Sequence, residues 1–406
     1  MDMRKIFVIL GIVIFYSCGS TNSNTQLVET NPTIEIKETE TQLLCLNLKS
    51  NYSTSFFEEQ VDSMLFIPLE TKEDVLLGTV THIKIVKDKL LVVDANKSKR
   101  IFVFDMQGKF LYTIGGLGEG PGEYMSINQV LVSPEGNVNI LDWMKWEYIS
   151  YDINGNLLFE HSFKKKVPEN IIKLNDTLFV GSHAGYNVNN PYHLTWFDVK
   201  DNLLNTGMPI KNVHPSPAGN LQYDLNGSVL FYRMLCDTVY KITENQIVPQ
   251  LRLGLYDPHE VKMFLERTNA VDSKEYMANL YNFKDGEIVN YFNLMEGEDF
   301  WLVEYQKGAY VYLSKIDKVT LKSHNYIKTS IRDRKSFVPF VFMGTFGNWI
   351  CSSLDSPFFT KLDENNKNYF LEKVRTEEMR KMLKDHDIEN RNPIICLFQM
   401  KRNVEE

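Results

Sequence analysis

Two stretches of this chain align without a gap, and that internal repeat limits the possible folds more than any other feature. Leu90-Leu91-Val92-Val93-Asp94 is followed by Ile101-Phe102-Val103-Phe104-Asp105-Met106-Gln107-Gly108. Val138-Asn139-Ile140-Leu141-Asp142 is followed by Tyr148-Ile149-Ser150-Tyr151-Asp152-Ile153-Asn154-Gly155. The first aspartates lie 48 residues apart, and the second Asp and its Gly recur after 47. Each unit reads strand, turn, strand, loop, strand, Asp-x-x-Gly hairpin turn, strand. A third copy pairs residues 178–182 with residues 194–201. Fainter copies begin at Asn226-Gly227, at Gly297-Glu298-Asp299 and at Gly347-Asn348, the last continuing into a strand expected over 358–362.

Six four-stranded units at about 40–50 residues each are the pattern of a propeller. One twisted four-stranded sheet buries too little by itself, whereas six packed around an axis bury both faces and expose few edges. The period requires about 270 residues, and residues 83–406 supply 324. The expected fold is therefore all-β, a six-bladed β-propeller over residues 59–406 with short helical insertions. One insertion opens at Asp257-Pro258-His259-Glu260, an N-cap, a proline at the first helical position and an early glutamate, and runs to about 283. A second helix is expected over 376–386. Residues 61–68 and the strand after Pro393, 394–400, both read as candidates for the strand that closes the ring.

Phe66-Ile67-Pro68-Leu69-Glu70-Thr71, the Val93-Asp94 and Phe104-Asp105 pairs, and the glycine-rich run 115–124 carry a resemblance. They resemble the six-bladed β-propeller lipoproteins of Bacteroidetes, which are similar to NHL-repeat proteins. The resemblance implies this fold and a cell-envelope address, and it brings no activity with it.

The N-terminus supports that address. Arg4 and Lys5 precede an apolar run over 6–16, too short to span a bilayer but suited to a signal peptide. Ser17-Cys18-Gly19 follows and resembles a lipoprotein cleavage box. Residues 1–17 are thus read as the signal and Cys18 as the lipidated residue. Residues 18–58 are read as a flexible, lipid-anchored stalk, because 19–42 hold few groups to bury. No acidic cluster closely follows Cys18, which favours a periplasm-facing anchor over the cell surface. Cys45, Cys236, Cys351 and Cys396 show no metal-ligand spacing, and buried free thiols are the simplest reading of the last two.

Composition narrows function. The chain is 43% hydrophobic, which excludes disorder, and its formal charge of −8 argues against a nucleic-acid partner. The segment 115–124 has no Gly-Lys-Ser/Thr and no G-x-G-x-x-G frame, so it reads as a tight inter-blade connection and not a phosphate loop. Register offers a better lead. Asp94, Asp142, Ser182, Arg233, Glu304 and Ser353 each end the second strand of a unit, which places them at one height near one mouth of the channel. Loops on that side carry Trp143, Trp146, Tyr148, His183, Tyr186, Tyr192, His193 and Tyr305.

Aromatics on loops over a rigid scaffold suit a binding module for a glycan, a peptide or an envelope protein, with no catalytic residues and no resident cofactor. Ligand-binding residues are accordingly expected among Trp143, Trp146, Tyr148, His183, Tyr186, Tyr192, Arg233, Glu304 and Tyr305. The rival expectation is a metal-dependent hydrolase, lactonase or lyase. Asp94, Asp142, Glu304 and His183 would then hold a divalent cation at the mouth.

Overall fold

The structure is a computed structural model. It describes residues 32–37, 44–45, 52–164, 167–184, 191–210, 218–267, 275, 278–279, 289–331, 333, 335–338, 340–354, 371–372, 377, 380–381 and 391–402. The signal peptide, Cys18, Tyr186 and the strand expected over 358–362 lie outside these residues, as do most of 268–283 and 376–386.

Six sheets form a six-bladed β-propeller. Blade 1 is His82–Val86, Lys89–Asp94, Arg100–Asp105 and Phe110–Ile114. Blade 2 is Gln129–Val132, Val138–Asp142, Glu147–Tyr151 and Leu157–Ser162. Blade 3 is Asn170–Lys173, Leu178–Ser182, Tyr192–Asp198 and Leu203–Pro209. Blade 4 is Asn220–Tyr223, Val229–Arg233, Cys236–Ile242 and Ile247–Arg252. Blade 5 is Val289–Glu296, Phe300–Lys307, Tyr310–Asp317 and Ser323–Ser330. Blade 6 is Phe342–Phe346, Trp349–Leu354, Ile394–Met400 and Val61–Pro68.

The repeated turn explains why three units share one shape. Asp105 Oδ1 accepts the backbone N–H groups of Gln107 and Lys109, and Gly108 adopts φ +83°. Asp152 does the same for Asn154 and Asn156, with Gly155 at +85°. Asp198 repeats it for Lys200 and Asn202, but Asp201 takes the left-handed position at +66°. That carboxylate is held in place: it accepts from Lys164 N and bonds His161 Nε2 at 2.8 Å.

Both terminal strands take part in closing the ring, so they do not compete for one role. Ile394–Met400 is the third strand of blade 6, and Val61–Pro68, from the other end of the chain, is its outermost strand, with Cys396 opposite Phe66. The third strand of this blade is therefore not the one expected over 358–362. A long insertion separates it from the second strand and hides the repeat.

Part of the expected stalk lies on the propeller. Thr33–Ile34 pairs in parallel with the outermost strand of blade 3, Leu44–Cys45 with that of blade 4, and Tyr52–Ser53 with that of blade 5. The chain thus edges three successive blades before entering blade 6, and it covers strand edges that would otherwise be open.

Each blade-to-blade interface has its own apolar cluster, six in all, with Trp196, Phe231 and Tyr326 among the largest buried side chains. Alternation within the strands produces this: one face of each sheet meets the preceding blade and the other the next. Residues 115–124 form the expected inter-blade connection. Gly116–Leu117 pairs with Glu123–Tyr124, Gly120 N donates to Glu123, Gly122 N donates to Glu160, and Tyr151 Oη donates to Gly122 O. The first insertion contains the helix Pro258–Arg267, with Asp257 accepting His259 N at 2.8 Å and Phe264 buried beneath it. Glu275, Ala278 and Asn279 further along are also helical, as are Glu377, Arg380 and Lys381 in the second insertion. Cys351 is a buried free thiol and Cys236 a partly buried one, and Cys396 is buried with its Sγ donating to Ile394 O.

Candidate functional site

The second strands run toward one mouth of the channel. Asp94, Asp142, Ser182 and Arg233 end theirs, whereas Glu304 and Ser353 stand inside strands that run on to Lys307 and Leu354, so the six residues do not form the uniform ring expected. Asp94 is fully buried and accepts N–H groups from Gly78, Asn96, Lys97 and Ser98. Those bonds hold its carboxyl below the ordinary range against an opposing effect of burial. Asp142, also fully buried, accepts from Met125 N, Ser126 Oγ, Met144 N and Lys145 N. Each aspartate ties the loop entering its blade to the loop after its second strand. Blade 3 reverses the device: Glu169, on the entering loop, accepts Ala184 N at 2.9 Å, while Ser182 Oγ donates to Gly219 O. Glu304 is ion-paired with the buried Lys328, and Ser353 contacts Met343 Sδ. Four carboxylates and hydroxyls are thus structural, and Glu304 is already engaged.

The aromatic candidates also divide. Tyr148 is 1% exposed and packs edge-on against Phe179 at 5.2 Å, because it belongs to the third strand of blade 2 and faces blade 3. Burial raises its hydroxyl pKa well above the ordinary value. Tyr305 is 3% exposed, bonds Tyr52 Oη at 3.0 Å and stacks on Tyr312. Both stabilise blade interfaces. Trp143 packs partly against the cluster between blades 2 and 3. Trp146 stays 40% exposed beside Met144 at 63%, and Tyr192 is partly exposed at the start of its strand. Lys145 is drawn back to Glu147 and to the carbonyl of Glu123.

At the boundary of blades 3 and 4 the picture changes. Arg233 ends the second strand of blade 4, where register shifts between Phe231 and Arg233. Its Nη1 donates to Met234 O at 3.3 Å, and its Nε is buried with no hydrogen-bond partner among the described residues. Asp237, an acid of the next strand, is taken by Arg252 at 3.4 Å.

Blade 3 contributes two histidines at this boundary, and the Arg233 charge acts on one of them, His193. His183 Nε2 bonds Thr195 Oγ1 at 2.8 Å, and its backbone N donates to His193 O. His193 is 4% exposed, and its Nδ1 is buried without a partner among the described residues. Burial pushes His183 down to about 4. Burial, then the charge of Arg233, then His183 push His193 down to about 3. Both imidazoles are neutral at pH 7, so the positive charge here is that of Arg233, which has no ion pair among the described residues. A guanidinium whose Nε is buried without a partner among the described residues, with the unpartnered Nδ1 of His193 in the same region, is suited to a planar anion, which a guanidinium engages with two parallel hydrogen bonds.

Of the residues read from sequence, His183 and His193 are joined by a backbone hydrogen bond, and the charge of Arg233 acts on His193. Thr195 gave no signal beyond alternation in its strand. Asp94, Asp142, Glu304 and His183 are not assembled as cation ligands, and among the described residues no group of three or more His, Cys, Asp or Glu could hold a metal.

Two solved structures share the architecture. One is a Bacteroides fragilis protein inferred to be exported, at 19% identity and TM-score 0.65, the match covering 84% of this chain and 95% of that one. The other is a member of the DUF4221 family from Bacteroides vulgatus, at 9% identity and TM-score 0.52, covering 85% and 98%. At these identities they show the fold alone. No curated protein matches the sequence. The family model described as a domain of unknown function, DUF4934, matches residues 43–399 and so takes in every blade and the site at the mouth; the chain belongs to that family.

Proposed function

We propose that this protein is a non-catalytic binding module of the cell envelope. It captures a ligand through a carboxylate, as carried by a peptide or an acidic glycan, at the mouth between blades 3 and 4. One observation carries the reading: the Arg233 guanidinium is partly buried with its Nε unpartnered among the described residues, and its charge acts on His193, whose Nδ1 is likewise unpartnered. A buried donor left unpaired costs stability, about 1–3 kcal/mol, and such a cost is retained where a ligand later satisfies it. Trp146 and Met144, exposed on the neighbouring blade, offer apolar contact to the rest of the ligand. The sequence of residues 1–18 supports export and lipid attachment at Cys18. No described helix is long and apolar enough to cross a membrane.

The test is a thermal-shift panel on the chain starting after Cys18. Peptides and oligosaccharides are supplied in matched pairs, free acid against amide or ester. Saturable stabilisation by the acid member of a pair, and not by its neutral twin, is the expected outcome. Equal response to both members, or to neither across the panel, would remove the reading.

A further inference from the structure

Another cation without an ion pair among the described residues, Lys84, lies on an innermost strand. The charged residues on the six innermost strands are Lys84, Lys173 and Glu296. Lys173 bonds Asp176 at 3.3 Å and sits over the Phe159 ring, and Glu296 pairs with Lys318 at 2.5 Å. Lys84 has neither a hydrogen bond nor an ion pair among the described residues, although protein surrounds it closely enough for burial to lower its pKa. Its side chain keeps some contact with solvent.

Among the described residues no carboxylate pairs with Lys84. A Cβ on Gly344, in the innermost strand of blade 6, would stand 3.7 Å from Lys84 Nζ and only 2.6 Å from Ile83 O. The glycine therefore lets the two innermost strands approach and leaves space at the ammonium. Cys351, paired with Gly344 across the strands, is fully buried, and burial pushes its thiol up to about 12, so it stays neutral. His82, two residues before Lys84 on the same face, is pushed down to about 4 by burial and then by the Lys84 charge, so it too is neutral. A lone ammonium in such surroundings either loses its proton or gains an anion.

We propose that Lys84 holds a compact monoanion, a halide or the carboxylate of a small organic acid, where the innermost strands of blades 1 and 6 meet the channel. The site is separate from Arg233 and does not depend on the reading given to it.

The experiment uses Arg233→Met as the parent, so that the mouth cannot contribute. Thermal unfolding is followed at constant ionic strength while chloride or acetate replaces gluconate, an anion too bulky for the position. A saturating rise in Tm is expected with chloride, with acetate or with both, and the two arms identify the size class. The rise disappears in Arg233→Met/Lys84→Met. Crystals soaked in bromide provide a readout independent of any variant, with an anomalous peak expected beside Lys84 Nζ. Either no rise above the gluconate baseline in the parent, or a rise that survives Lys84→Met, overturns the proposal. If the double variant does not fold, soaks decide instead: no bromide peak beside Lys84 after a chloride response, or no acetate density there after an acetate response, overturns the proposal.

Discussion

Arg233 and Asp142 occupy equivalent places at the ends of second strands, yet replacing them is expected to move stability in opposite directions. Asp142 is fully buried and accepts four hydrogen bonds, from Met125 N, Ser126 Oγ, Met144 N and Lys145 N. Hydrogen bonds to a charged group contribute about 1.5–3 kcal/mol each. They are not additive, and water will reach some of the freed donors. Asp142→Ala is therefore expected to cost about 3–5 kcal/mol, at the upper end of single substitutions. Arg233 has the opposite balance: among the described residues its Nε is buried without a partner and its one side-chain hydrogen bond, to Met234 O, is 3.3 Å long. Arg233→Met keeps the aliphatic stem and removes the unsatisfied donor and the charge. It is expected to leave stability unchanged or raise it by about 1 kcal/mol. Denaturant unfolding with unchanged m-values reads both effects, and Tm shifts of roughly 1–2 °C per kcal/mol follow for a domain of this size. A loss of about 2 kcal/mol or more in Arg233→Met would show that the arginine is a structural residue. The argument that it awaits a ligand would then fail.

Three further outcomes follow from the same structure. His193 has a folded pKa of about 3, below the ordinary 6.5, so the unfolded chain binds the proton more readily. Its contribution is intact above about pH 6.5 and falls away as pH drops toward the folded value, with about 2 kcal/mol lost by pH 5; His193→Gln should flatten that part of a stability-against-pH curve, and an unaltered slope would contradict it. Phe66 is 3% exposed where the closing strand meets blade 5, so Phe66→Ala should cost about 3–5 kcal/mol; a loss below about 1 kcal/mol in denaturant unfolding would mean that the closing strand contributes little. Asp201→Gly should destabilise even though glycine suits φ +66°, because the contacts to His161 and Lys164 N are lost while the strain relieved is only about 1 kcal/mol. A gain in Cm would show that strain outweighs those contacts.

The repeat was legible because the hairpin chemistry is local. Asp105 with Gly108 and Asp152 with Gly155 make the same turn from the same residues. Blade 6 was only half legible, since its third and fourth strands come from opposite ends of the chain and no local pattern pairs Cys396 with Phe66. The edging strands at 33–34, 44–45 and 52–53 left no signal, being two residues long and held by backbone bonds to strands far away in sequence. At the site, register indicated that Arg233 ends its second strand and that His183 follows the end of its own, as the structure has them. It could not tell that Asp142 would be consumed by backbone donors, or that Tyr148 would face Phe179. Those outcomes depend on which neighbouring blade each side chain meets.

The measurement closest to the central claim is a calorimetric titration of the best free acid from the matched panel against the wild-type chain and Arg233→Met. A charge-assisted bidentate contact contributes about 2 kcal/mol, which corresponds to roughly a 30-fold difference in Kd. The account predicts at least that loss of affinity in the variant, with the neutral twin binding both proteins equally weakly. Equal affinity of the acid for the two proteins would contradict it.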